Sequence, residues 1–553
     1  MRVTIETTEL TERERWDFSA VSACSPLVMT RYSFKSRGFV SSSLRGLTRR
    51  DRLTSRGPRL WTASLLLIAS VMTATAAGTD VRLIEAVKAG NVQGVRTLIA
   101  ERVDVNARDT DGTTALHWAV RDDAVDVAMS LIRAGAIPQV ANRQGVTPLV
   151  LAATNGSAVA IEMLMKAGGD PNDAMPEGQT ALMAAARTGK VDAVEALLRG
   201  GADPNVHERR LGETALMWAA AENHAGAVTA LIQAGADVNA RSNPADFPRF
   251  SFGDGIVALM MTLPRGHWTP LMYAARQGAL DAVRALLAAR VDLNATDPEG
   301  TTALVLAIHN AHYDVATLLA EHADPNVADV TGMTALYAAV NMNSLGDLPG
   351  RPAPKPTGQM SAIEVARTLL LHGANPNARL TKPILQRQHS AGDGALGEGA
   401  TPFLRAAKTG DVAMMRLLRE QGADPALTTK TGTTAVMFAA GPASGGLGGS
   451  FPVADADKIA AIQFGIEHGV DINAVDGNGQ TALHIAAGQS SARIVSALVE
   501  RGAKLDVKNS QGRTPLDLAR GIGGRGQPVV RTEVVEVLQR LANPAGNNVQ
   551  GAR

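Results

Sequence analysis

TTALHWAVRDDAVDVAMSLIRAGAIPQVANRQG, residues 113–145, decides the fold of this chain. An apolar segment starts at Leu116, breaks at Asp122 and Asp123, and resumes as a second stripe. Val125, Val127, Ala128, Leu131 and Ile132 fall at spacings that share one face of a helix about ten residues long. Two such short helices cannot bury both of their faces, so neighbouring units must supply the missing side of the core. Those neighbours are in the sequence. A Thr-(Ala/Pro)-apolar turn opening an Ala-rich helix recurs eleven times between residues 114 and 514, at a period of about 33 residues.

Each unit carries its own start and stop signals. Thr114, Thr147, Thr180, Thr214, Thr269, Thr302, Thr334, Thr401, Thr434, Thr481 and Thr514 precede apolar runs, where a hydroxyl can accept from free helix amides. Pro148, Pro270, Pro402 and Pro515 follow directly, at a position that tolerates a missing N–H. Gly135, Gly201, Gly235, Gly373, Gly422, Gly469 and Gly502 close the second helices, where a left-handed residue is wanted.

These motifs resemble the ankyrin repeat. Its TPLHxAA pattern is similar to TALHWAV at 114–120, TPLVLAA at 147–153, TPLMYAA at 269–275 and TALHIAA at 481–487. Its GADVNA loop is matched by GADPNV at 201–206, GADVNA at 235–240 and GANPNA at 373–378. The resemblance implies an all-α solenoid of about twelve helix-turn-helix repeats over residues 80–543, with hairpin-like finger loops. It also implies that His117 and His484 hydrogen-bond between adjacent turns. Only 3% of the residues are aromatic, as closely packed thin helices require.

The first 77 residues read differently. Residues 1–44 form an irregular extension whose translation is open, with Met29 as a downstream start. Residues 45–77 then read as a signal peptide, with Arg45, Arg49, Arg50, Arg52, Arg56 and Arg59 ahead of an apolar run from Leu60 to Met72 and the small residues Ala74-Thr75-Ala76. An uncleaved anchor is the alternative, although the run is short for a spanning helix. Cleavage near Ala76 and Ala77 predicts a periplasmic or secreted protein with no stable membrane span. Cys24 is the sole cysteine, so the mature chain would hold no thiol.

Signals of catalysis are absent from the repeat pattern. His309 and His312 lie three apart with His322 beyond them, but no HExxH accompanies them, and they read as exposed helix-end residues. The Gly-rich stretch 441–449 lacks the Lys-Ser/Thr of a phosphate cradle. The chain is therefore expected to have no enzymatic activity and no cofactor or metal; an acid/base site built from inserted loops, with His309, His312, His322 or His389 as the acid/base group, is the rival. Lys and Arg number 54 against 53 Asp and Glu, with much of the basic excess in the leader, which argues against nucleic acid.

What remains is a surface for an unidentified protein partner, presented by a monomer that is either periplasmic or a secreted effector. The resemblance implies docking on the concave face and the finger loops. At the fingers it points to Arg143, Gln144, Val146, Glu177, Arg210, Glu213, Trp268 and Met333. At the first helices it points to Arg187, Arg276, Gln277, His309, Asn310 and Met342. Trp118, Trp218, Tyr273 and Phe438 are assigned instead to the core. Insertions near 241–267, 343–360, 379–399 and 441–457 break the period, and the first brings Phe250 and Phe252 to the candidate surface. Residues 544–553 read as a disordered tail.

Overall fold

The computed structural model describes residues 80–244, 266–344, 354–384, 396–442, 453–521 and 530–543. The chain divides into Met1–Ala76 and Ala77–Arg553. The leader, Cys24, Phe250, Phe252, His389, the middle of each insertion and the tail lie outside the described residues.

Twelve helix pairs follow one another. The first six pair Arg82–Lys88 with Val92–Ala100, Ala115–Arg121 with Val125–Arg133, Pro148–Asn155 with Ala158–Lys166, Ala181–Thr188 with Val191–Arg199, Ala215–Ala221 with Ala225–Gln233, and Pro270–Gln277 with Leu280–Ala288. The last six pair Ala303–His309 with Tyr313–Ala320, Ala335–Asn343 with Ala362–Leu371, Pro402–Lys408 with Val412–Glu420, Ala435–Ala440 with Asp455–Glu467, Ala482–Gln489 with Ala492–Glu500, and Pro515–Ala519 with Thr532–Ala542. Each first helix packs against the first helix of the next repeat, and most neighbouring second helices likewise stack on one another.

The punctuation read from the sequence is the punctuation of the structure. All eleven threonines are N-cap residues with extended backbone. In most the hydroxyl accepts from the amide three residues on, as Thr214 does from Met217 at 3.4 Å. The seven glycines that close the second helices have φ between 87° and 98°. Arg102 and Arg290 occupy the same slot with φ of 59° and 57°, and Ala311 has φ 58° just after a first helix. There a β-carbon costs about 1–2 kcal/mol.

Burial follows from the stacking. One apolar cluster runs from Leu83 to Leu538, and the Leu two residues after the cap (Leu116, Leu149, Leu182, Leu216, Leu271 and Leu304) is at most 3% exposed. A buried Leu contributes roughly 1.5–3 kcal/mol. Small Ala residues at Ala119, Ala152, Ala185, Ala219 and Ala274 are fully buried where first helices cross, so the backbones approach closely.

Two polar ladders tie the repeats together, both in the connection between a second helix and the next first helix. In the loops after the second helices, Asn205 Nδ2 donates to Gly235 O at 3.1 Å while its Oδ1 accepts from Asp237 N at 2.7 Å. Asn106, Asn172, Asn326, Asn377 and Asn473 make the same pair of bonds to the loop that follows. At the fingers, backbone amides bridge from one repeat to the next, as Arg143 N does to Asp111 O at 2.9 Å and Arg209 N to Glu177 O at 2.8 Å.

Candidate functional site

The fingers are built by carboxylate and amide side chains that hold a tight turn. Asn142 Oδ1 accepts from Gln144 N at 3.0 Å and Val146 N at 2.9 Å, and Asp297 and Asp329 do the same in their own fingers. Isolated bridges such as Arg108 to Thr114 and Thr296 to Thr302 close these loops into hairpins. The turn leaves its tip outward. Arg143, Gln144, Glu177 and Arg210 are accordingly exposed.

The residue immediately before the N-cap behaves otherwise. Val146, Glu213, Trp268 and Met333 are only 2–6% exposed, so the expectation that they face a partner is corrected. The strand returning to the helix turns this side chain in toward the position four residues after the cap. Glu213 Oε2 accepts from Trp218 Nε1 at 2.8 Å. Trp268 meets Tyr273 edge to face with centroids 5.4 Å apart. Its backbone amide donates to Ser242 Oγ at 2.9 Å. Burial pushes the Glu213 carboxyl above its usual value, and hydrogen bonds from Tyr273 and Trp218 oppose this. Burial also raises the Tyr273 phenol.

On the first helices the corrections run both ways. His309 and Met342 are buried, while Arg187, Arg276 and Asn310 are half-buried and Gln277 is exposed. Trp118, Trp218 and Tyr273, assigned to the core from sequence, are half-buried on the same side, and Phe438 alone of that group is buried. Cations sit over these rings. The Arg121 guanidinium lies 3.9 Å from the Trp118 centroid with Lys88 Nζ at 4.5 Å, and Arg187 lies 5.8 Å from Trp218. The basic side chains seven residues after the cap and the aromatics four after it, in the same or the following repeat, were the signal available in the sequence. Farther along, Arg405 Nε donates to Asn341 Oδ1 at 2.9 Å.

The histidines divide by position. Thr114 N donates to His117 Nδ1 at 3.2 Å, which places the proton on Nε2, and Nε2 then donates to Val146 O in the next finger at 3.0 Å. His484 repeats this with Thr481 and Arg513 O. Burial lowers both imidazoles below their ordinary value. His312 Nδ1 meets Thr357 Oγ1 at 3.0 Å, His322 is exposed, and among the described residues no three His, Cys, Asp or Glu side chains group as metal ligands. Among the same residues no helix is long and apolar enough to cross a membrane.

This helix pair, Thr cap, bridging His and Asn-tied loop are what known families share. Models described as "Ankyrin repeats (3 copies)" match residues 83–175, 160–242, 256–329 and 271–348, "Ankyrin repeats (many copies)" matches 466–519, and "Ankyrin repeat" matches 398–430. The chain belongs to the ankyrin-repeat family. B-cell lymphoma 3 protein homolog of Mus musculus is 29% identical over 154 residues, covering 28% of this chain and 29% of that protein. Protein phosphatase 1 regulatory subunit 27 of Mus musculus is 41% identical over 64 residues, covering 12% of this chain and 42% of that one. The ankyrin array thus spans less than half the length of these curated relatives. The ankyrin repeat domain of human ASB11 aligns with 43% of this chain and 95% of its own at 26% identity, with a TM-score of 0.35. Ankyrin repeats are protein–protein interaction modules, and that coarse role holds for this chain.

Proposed function

We propose that this chain is an exported, non-catalytic ankyrin-repeat protein, periplasmic or secreted, that binds a partner protein through the inner face of its first helices and its finger tips. The observation that carries the reading is the placement of Trp118, Trp218 and Tyr273 half-exposed on one side, with Arg143, Gln144, Glu177 and Arg210 exposed at the neighbouring finger tips. Large aromatic rings and arginines are the side chains enriched among binding hot spots. A helix array held by repeat-to-repeat hydrogen bonds is preformed, so recognition proceeds with little rearrangement. Export rests on the Arg-rich head, the apolar run and the Ala74-Thr75-Ala76 segment.

The test is site-directed photo-crosslinking in the full-length chain. A crosslinker at Gln144, Glu177 or Trp218 is expected to trap one partner. The same group at Glu195, exposed on a second helix, is expected to trap none. Trapping from Glu195 alone would overturn the docking face. Fractionation with N-terminal sequencing reads the export step, and a full-length chain retained in the cytoplasm would refute it.

A further inference from the structure

The side chain seven residues after the N-cap, at the far end of each first helix, follows a pattern that partner binding as such does not demand. Over the first six repeats it is Lys88, Arg121, Thr154, Arg187, Ala221 and Arg276. No Asp or Glu takes this place in any repeat, although the chain carries 53 acidic residues against 54 basic ones. The charge is therefore sorted onto one column. Arg276 lies 5.1 Å from the Trp268 ring centroid, so each of the four cations stands over an aromatic ring.

The neighbouring rings leave the cations their donors. A guanidinium beside an aromatic ring still directs its N–H donors in its own plane, which suits a carboxylate's two oxygens. Glu85 pairs with Lys88 at 3.0 Å and Asp122 with Arg121 at 3.2 Å, whereas Arg187 has no ion-pair partner among the described residues. The buried Glu213 is committed to the Trp218 indole. Arg187 is thus the anchor, flanked by the Trp218 ring.

Resting on the reading that partners dock on this inner face, we propose that the column from Lys88 to Arg276 binds an acidic, extended segment of the partner protein. Packed helices lie about 8–10 Å apart, and a polyproline-type chain advances about 3.1 Å per residue with three residues per turn. An acidic residue at every third position of the segment therefore meets successive repeats, and every second one of these meets Arg121, Arg187 and Arg276. Single-stranded nucleic acid fits less well, because its phosphates recur at every nucleotide while Thr154 and Ala221 interrupt the column.

The experiment measures fluorescence anisotropy of the full-length chain with a labelled peptide of about six Glu-Pro-Ala units, beside a Lys-Pro-Ala peptide and a thymidine oligonucleotide. The acidic peptide is expected to bind, to weaken steeply with salt, and to lose about tenfold or more in affinity with Arg187→Gln, the worth of one charge-assisted contact. Arg199→Gln, on the outer helix Val191–Arg199, is expected to change nothing. Equal binding of the Lys peptide, tighter binding of the oligonucleotide, or an unaltered affinity in a folded Arg187→Gln chain would overturn the proposal. A partner still trapped from Trp218 in that variant would leave the inner-face reading standing while this one fails.

Discussion

Replacing Asn205 by Ala tests whether the repeats are coupled by loop hydrogen bonds or by apolar burial alone. Asn205 makes two bonds to the following repeat, at 3.1 Å to Gly235 O and 2.7 Å to Asp237 N. Each such bond contributes about 0.5–1.5 kcal/mol net. Both lie in an exposed loop, where water replaces part of what is lost, so Asn205→Ala is expected to cost about 1–2 kcal/mol. Asn205→Asp keeps the acceptor for Asp237 N but sets a carboxylate oxygen against Gly235 O, and it should cost at least as much. The array supplies the converse case. Ala426 stands where most of the other loops have Asn, and the chain at Gly469 receives no such clasp. Ala426→Asn should therefore stabilise the ninth-to-tenth repeat junction by about 0.5–1.5 kcal/mol. Urea unfolding, with amide exchange at Ala236 and Val470, reads both effects. If Asn205→Ala and Ala426→Asn both leave midpoint and exchange unchanged, the loop ladder is ornamental and coupling resides in the helices.

Further outcomes follow from single residues. Burial lowers the His117 and His484 imidazoles, so the folded state binds fewer protons than the unfolded one; stability is whole above the ordinary value of 6.5 and declines as pH falls below it. Urea midpoints at about pH 7.5 and about pH 5.5 should differ, and by less in His117→Gln. Ala311→Gly should stabilise by about 0.5–1 kcal/mol, because the left-handed strain relieved exceeds the entropy that glycine adds to the unfolded chain; calorimetry showing destabilisation would refute that balance. Trp218→Phe removes the donor to the buried Glu213 and should cost about 1–3 kcal/mol, while Trp218→Phe with Glu213→Leu should recover most of it.

Legibility in the sequence tracked the range of the interaction that sets each feature. The threonine caps, the prolines after them and the glycines that close second helices are decided within a single turn, so their identity announces their role. The finger tip at Arg143 was legible for the same reason, since an Asx turn needs only the four residues around it. The Asn clasp was half legible. The GADVNA motif was visible, but its side chain acts on the next repeat, about thirty residues away, and no local pattern shows that.

Failure at the candidate surface has one geometrical cause. A finger alternates its side chains in and out, and whether the last one before the cap points inward depends on where the neighbouring helix stands, which a linear period does not state. Glu213 and Trp268 were therefore read as exposed, and Trp218 and Tyr273, the residues they cover, were read as core. The two errors are one exchange. An inward residue before the cap lifts the aromatic four residues after it toward the face, as the contacts from Glu213 to Trp218 and from Trp268 to Tyr273 show. Arg187 of the preceding repeat then stands over Trp218 and Arg276 over Trp268, so in these repeats the finger base helps set the charge and apolarity of the surface a partner meets. Repeats with a small or aliphatic side chain four residues after the cap, Leu151 and Ala184, have no ring of their own at that place, and Arg187 of the Ala184 repeat stands over Trp218 of the repeat that follows. Anchoring on the inner face is thus a property of successive pairs of repeats and of no single one.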